Sequence, residues 1–144
     1  MTAPFFVDTN VLIYADDPRD QVKKDRARQL IRDAFVSGNG HLSLQVLKEY
    51  FSVATRKLGL SALQARQRVE IYRQLQRRPN DNDDLLAAID LHRLHGWSIW
   101  DALIVRSALV LGCARLYTED LNHGQRIEGL EFVNPFIATY SVNE

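Results

Sequence analysis

The sequence predicts an α/β protein, a three-layer helix–sheet–helix sandwich around a central, mainly parallel sheet of four to five strands. Four short apolar segments, at residues 5–7, 41–44, 114–117 and 130–133, have the length and composition of strands. Long stretches with helical spacing separate the first three, and strands joined through helices favour parallel pairing. In open sheets of this class, sites form beyond the carboxyl ends of the strands. Acidic residues stand at those ends here.

The elements follow in order. Phe5-Phe6-Val7 reads as a buried strand that ends at Asp8. A short helix is expected over residues 10–15, broken by Asp16-Asp17-Pro18. Over residues 20–36 the apolar positions Ala27, Leu30, Ile31, Ala34 and Phe35 mark one helical face, stopped by Ser37-Gly38-Asn39-Gly40. After the strand at 41–44, a helix over 45–58 carries its apolar face through Leu47, Tyr50, Phe51 and Ala54. Ser61 and Gln64 form a capping-box pattern that opens a long helix ending before Pro79. Residues 80–84 read as a solvated acidic turn, and a helix over 83–95 stops at Gly96. Ser98 caps a helix reaching about Leu111 that is apolar on nearly every side, so it should be central. The last two strands follow, closed by Asn134-Pro135.

At 144 residues a single domain, 1–144, is expected, with room for a sizeable core. A composition of 46% hydrophobic and 25% charged residues suits a soluble globular protein. Lys+Arg and Asp+Glu are both 18, so net charge neither favours nor excludes nucleic acid. One cysteine, Cys113, in an apolar stretch, rules out an internal disulfide and reads as core in a reducing compartment. No signal peptide and no membrane-length apolar run is apparent, so a cytoplasmic location without a membrane is expected.

Four acids interrupt or abut apolar sequence: Asp8, Glu49, Asp101 and Asp120. A buried carboxylate without a partner costs several kcal/mol, roughly, so such groups are paired or hold metal. Together they would suit Mg2+ or Mn2+, which prefer carboxylates, waters and phosphate oxygens. Such an ion would activate water and stabilise charge in phosphoryl transfer. Thr9, Asn10 and Thr118 are expected to orient the acids or water.

Each acid also has a local reading. Asp8 can start a turn or cap a helix. Glu49 can be a solvated helix residue, Asp101 a capping acid opposite Ser98, and Asp120 a turn residue. Glu119 competes with Asp120 for the fourth position. His92 and His95 lie three apart on a helix but lack a third ligand nearby, while His41 and His123 have no evident partner. The basic sets Lys23, Lys24, Arg26, Arg28 and Arg73, Arg77, Arg78 read as solvated faces or as phosphate contacts. Trp97 and Trp100 read as core residues rather than base-stacking platforms.

Taken together, Val7-Asp8-Thr9-Asn10, Glu49 within 45–51, Ser98-Ile99-Trp100-Asp101 and Tyr117-Thr118-Glu119-Asp120-Leu121 resemble a PIN-domain nuclease over residues 5–136. Asn134-Pro135-Phe136 is also similar to the close of many members. The resemblance implies a parallel sheet flanked by helices and an acidic Mg2+/Mn2+ site made by Asp8, Glu49, Asp101 and Asp120. Asn10 and Thr118 would stand in supporting positions. It also implies hydrolysis of RNA phosphodiester bonds. A lone domain of this kind most resembles the VapC toxins of toxin–antitoxin pairs, which implies a cognate antitoxin that blocks the acidic site, and a homodimer. Three other readings stay open: a housekeeping RNA-processing nuclease of the same family, an acidic-pocket signalling module, and a catalytically silent binding domain. A receiver-type signalling module would want a lysine ending a late strand, where this chain has Tyr117-Thr118-Glu119-Asp120.

Overall fold

A computed structural model describes residues 2–137. In it the chain runs β1 (Phe5–Val7), α1 (Thr9–Asp16), α2 (Gln21–Ser37), β2 (Gly40–His41), α3 (Leu44–Lys57) and α4 (Ala62–Tyr72). It continues through α5 (Asn82–His95), α6 (Ile99–Val110), β3 (Arg115–Tyr117), β4 (Arg126–Ile127) and β5 (Leu130–Val133). The five strands form one sheet in the order β2-β1-β3-β5-β4. The β2/β1, β1/β3 and β3/β5 pairs are parallel, and only β4 runs antiparallel, against β5. Helices flank the sheet: α1 packs on α2 and α3, α3 on α4, and α5 on α6. The three-layer expectation is met.

Phe6, Val7, Leu116, Leu130 and Phe132 supply fully buried strand residues of one core. Helix α6 buries Ala102, Ile104, Val105, Ser107 and Ala108, as its apolar sequence foretold. Cys113 is buried in the same core, and burial pushes its thiol up to about 12. Gly40 of β2 is required by a close approach. A Cβ there would lie 2.1 Å from Ala34 Cβ and 2.5 Å from Ala34 Cα, on α2. Among the described residues, no helix is long and apolar enough to cross a membrane.

Several expectations need correction. The second strand is shorter than 41–44, because Ser43 is taken as the N-cap of α3, where its hydroxyl accepts from Val46 N. The helix opened by Ser61 stops at Tyr72 rather than near Pro79, although its capping box forms. A single tight turn at Arg73–Leu75 follows. Buried Leu75 then offers its carbonyl to Leu42 N, and Gln76 pairs with Leu42. That pairing needs extended backbone, so the helix cannot continue. Strand β4 was not foreseen. It is joined to β5 by Glu128-Gly129, both with positive φ (48° and 87°), the left-handed pair that a two-residue hairpin turn requires.

The acidic turn at 80–84 is not wholly solvated. Asp84 is fully buried and forms a reciprocal capping box with Asp81 at the start of α5. It accepts from Arg78 Nη1 and Arg106 Nε, each at 3.0 Å, and from Asp81 N at 2.9 Å. Burial pushes its carboxyl up, but the Asp81 amide and the two guanidinium groups outweigh this and hold it at about 2. A lowered carboxyl of this kind contributes stability above its unfolded value of 3.8, and loses it as pH falls through about 2. Trp100 is also not a core residue, being 63% exposed, whereas Trp97 packs its ring against Phe132 and His95.

Two stability outcomes follow. Asp84→Ala leaves two arginines facing a void and should cost about 3–5 kcal/mol at pH 7 by urea denaturation. Gly40→Ala should cost about 1–3 kcal/mol from overpacking against α2. Wild-type midpoints for both variants would contradict this packing.

Candidate metal centre

The acidic edge begins where β1 ends. Asp8 extends the β1/β3 pairing by one bond, from its amide to Tyr117 O at 3.0 Å, and then caps α1. Its Oδ1 accepts from Thr9 N at 2.7 Å and its Oδ2 from the Thr118 hydroxyl at 2.8 Å. Thr118 follows β3 directly, is fully buried, and donates its amide to Val133 O. Its hydroxyl oxygen also accepts from Asp120 N at 3.1 Å and Asn10 Nδ2 at 3.4 Å. Asn10 Nδ2 lies 3.2 Å from Asp120 Oδ2, so α1 and the segment after β3 hold Asp120 between them. Asp101 sits in the first turn of α6, its amide bonded to the Ser98 cap at 3.1 Å.

Carboxylate oxygens of Asp8, Asp101 and Asp120 lie within 4.8 Å of one another. Glu49 stands beside this trio rather than inside it. Its Oε2 accepts from Thr9 Oγ1 at 2.9 Å and its Oε1 from Gln45 Nε2 at 2.7 Å. Gln45 Nε2 also reaches Trp100 O at 3.1 Å, which ties α3 to the start of α6. Gln45 is a site residue that sequence reasoning passed over, although its i,i+4 spacing to Glu49 was visible. Glu119 is turned away from the trio, toward Tyr14 and Lys23.

The electrostatics are those of a site short of positive charge. Burial pushes the Asp8 carboxyl up from 3.8 to about 7. Hydrogen bonds from Thr9 N and Thr118 oppose the rise, while Asp120 and Glu49 add to it. Asp101 is also raised, by burial first and then by Asp120 and Glu49. The ion pairs of the described residues include none of these three aspartates. Asn10 Oδ1, in the side chain that bonds Asp120, is buried without a hydrogen-bond partner among the described residues. An all-oxygen donor set, an orphaned acceptor, and two carboxyls, Asp8 and Asp101, raised by burial and by neighbouring acids fit a hard divalent cation with bound waters.

The basic sets are largely engaged elsewhere. Lys23 meets Glu119, Arg26 bonds the Pro135 and Ile137 carbonyls, and Arg28 bonds Ala15 O. Arg77 reaches His41 and Gly38 O. His92 bonds the Trp97 carbonyl and His95 stacks on Trp97, which suits a structural role for both.

The Asp8 shift has a definite sign. With its carboxyl raised, the fold favours the protonated form. Its contribution to stability is full below about 3.8 and lost as pH rises through about 7. In metal-free protein, Asp8→Asn should therefore raise unfolding free energy at pH 8 by about 1–3 kcal/mol, at ~1.36 kcal/mol per pKa unit less the weakened hydrogen bonding. The gain should disappear at pH 4. Denaturant titrations in EDTA at the two pH values check this, and equal stability at pH 8 would contradict the desolvated site.

The comparisons with known proteins agree with this architecture. The PIN domain family matches residues 5–127. No curated protein matches the chain. Among solved structures, Mycobacterium tuberculosis VapC20, described as a sarcin-ricin loop cleaving toxin, is similar in fold, with TM-score 0.63 at 18% identity over 81% of this chain and 89% of that one. A toxin–antitoxin complex from Klebsiella pneumoniae gives TM-score 0.65 at 20% identity, covering 93% and 98%. VapBC-1 from nontypeable Haemophilus influenzae gives 0.59 at 22%, covering 91% and 97%. The sheet order, the acidic edge and a family match over most of its length place the conclusion beyond fold alone: the chain belongs to the PIN domain family.

Proposed function

We propose that the chain is a Mg2+- or Mn2+-dependent endoribonuclease, and the toxin of a toxin–antitoxin pair, acting in the cytoplasm as a single domain. The observation that carries the nuclease reading is the convergence of Asp8, Asp101 and Asp120 at the carboxyl edge of a PIN sheet. Support for the toxin role comes from the similar folds, which are a toxin and toxin–antitoxin complexes.

Asp8, Asp101 and Asp120 would hold the cation, with Glu49 completing the acidic set. When bound, the ion supplies the positive charge that activates water and stabilises the phosphate during in-line displacement. The protein's own residues do the positioning. Thr118 fixes Asp8, Asn10 restrains Asp120, and Thr9 with Gln45 holds Glu49 from both sides. In this reading Glu49 would accept a proton from the attacking water. Cleavage of this kind leaves 5′-phosphate and 3′-hydroxyl ends.

The cognate antitoxin would cover the apolar groove of about 680 Å³ between α3 and α4, lined by Leu44, Leu47, Phe51, Leu63 and Val69. Lys48 and Arg66 line the same groove, so the occupant is an apolar segment with acidic flanks. Leu44 adjoins Gln45, the partner of Glu49, so a segment in this groove would lie beside the acidic edge and would block RNA. A homodimer is part of the same reading.

The test is cleavage of total RNA by purified protein with Mn2+ or Mg2+ against EDTA. Discrete fragments should appear only with metal. Asp8→Asn and Asp101→Asn should each lower the rate at least about 100-fold, the scale of lost electrostatic stabilisation. Full activity in either variant would refute the assignment.

A further inference from the structure

We propose that Glu119 is an anchor rather than a ligand: Tyr14 and Lys23 grip it and thereby position Asp120. This rests on the metal-site reading above and names the residues outside the acidic trio that shape it.

Asn10 and Tyr14 are four apart on α1, so they share one face. That face meets the two consecutive acids after β3. Asn10 Nδ2 lies 3.2 Å from Asp120 Oδ2, and the Tyr14 hydroxyl donates to Glu119 Oε1 at 3.0 Å. Lys23, on α2, completes the grip. Its Nζ donates to the Tyr14 hydroxyl at 3.1 Å and lies 3.5 Å from Glu119 Oε2. The ammonium also sits 4.4 Å from the Tyr14 ring centroid and 5.6 Å from that of Phe136. Tyr14 and Phe136 meet edge to face at 4.7 Å, so the ring that carries the hydroxyl is itself held.

Both Glu119 oxygens are therefore occupied, and its charge is met by an ammonium. Asp120 is left free to face Asp8 and Asp101, with Glu119 outside that trio. One residue is pulled toward α1 and α2 so that the next can point into the site. The pairing also keeps a neighbouring negative charge from acting on the trio unopposed. Loss of the grip frees the segment bearing Asp120 while leaving Asp8 and Asp101 in place. The cation should then bind more weakly, and saturation should restore much of the rate.

The experiment is Mn2+ titration by calorimetry on the full, metal-stripped chain, with RNA cleavage at limiting and saturating Mn2+ in parallel. Tyr14→Phe removes the hydroxyl and keeps both ring contacts, while Glu119→Gln keeps an acceptor and loses the ion pair. Each should raise the Mn2+ Kd about three- to tenfold, the size of one hydrogen bond. The double variant should be no worse than the poorer single, because both act through one link. Asp120→Asn should be weaker still and not rescued by excess metal. Glu119→Gln losing Mn2+ as completely as Asp120→Asn would make Glu119 a ligand and overturn the proposal. An unchanged Kd in Tyr14→Phe, with wild type binding Mn2+, would overturn it and leave the nuclease reading standing. No Mn2+ binding by wild type would overturn both.

Discussion

β1 and β3 are the parallel pair at the middle of the sheet, and their register delivers Asp8 and Thr118 to the same edge. Phe5, Phe6 and Val7 lie opposite Arg115, Leu116 and Tyr117, and the next residue on each strand is the one that matters. One hydroxyl, that of Thr118, then organises three groups by donating to Asp8 and accepting from Asp120 N and Asn10 Nδ2. A slip of the pairing by one residue would turn these side chains to the opposite face. The buried apolar strands thus do more than fill the core. They fix the height at which the carboxylates emerge.

Two buried aspartates show what a partner does. Asp84 and Asp8 are both almost without solvent exposure. Asp84 has the Asp81 amide, Arg106 and Arg78, which together hold its carboxyl at about 2, and it fastens α5 to α6. Asp8 has hydroxyl and amide donors but acidic neighbours, and burial leaves it at about 7. Burial raises both carboxyls, and what opposes it differs: the Asp81 amide and two guanidinium groups at Asp84, the Thr9 amide and the Thr118 hydroxyl at Asp8. Of the three carboxylates only Asp8 is fully buried, beside half-buried Asp101 and exposed Asp120, and it is the one whose ionisation burial makes most costly. Asp84 also has an indirect part in that site. It pins the helix that begins with Ser98 and Asp101, on which the third carboxylate depends.

Local sequence signals carried much of the fold. The caps at Ser61 and Ser98, the stops at Gly38 and Gly96, and the apolar α6 stood where spacing placed them. The errors came where distant partners decide. Leu42 pairs with Gln76 and Leu75, which ends α4 early, and nothing near Tyr72 announces it. Asp84 looked like one more acid in a polar turn until Arg106, from another helix, was beside it. Strand β4 rests on a Glu128-Gly129 turn that lacks the usual asparagine or aspartate. At the site, Asp8 after a strand and Asp101 in a first helical turn were legible as positions. The separation of Glu119 from Asp120 was not, because Tyr14 and Lys23 lie far from them in the chain.

The central claim is that Asp8, Asp101 and Asp120 together form one divalent-cation site. Crystals soaked in Mn2+ and measured at a wavelength with manganese anomalous signal test it most directly. The expected result is an anomalous peak within bonding distance of carboxylate oxygens of all three residues. A protein that cleaves RNA in Mn2+ yet shows its peak elsewhere, with these three carboxylates unligated, would contradict it.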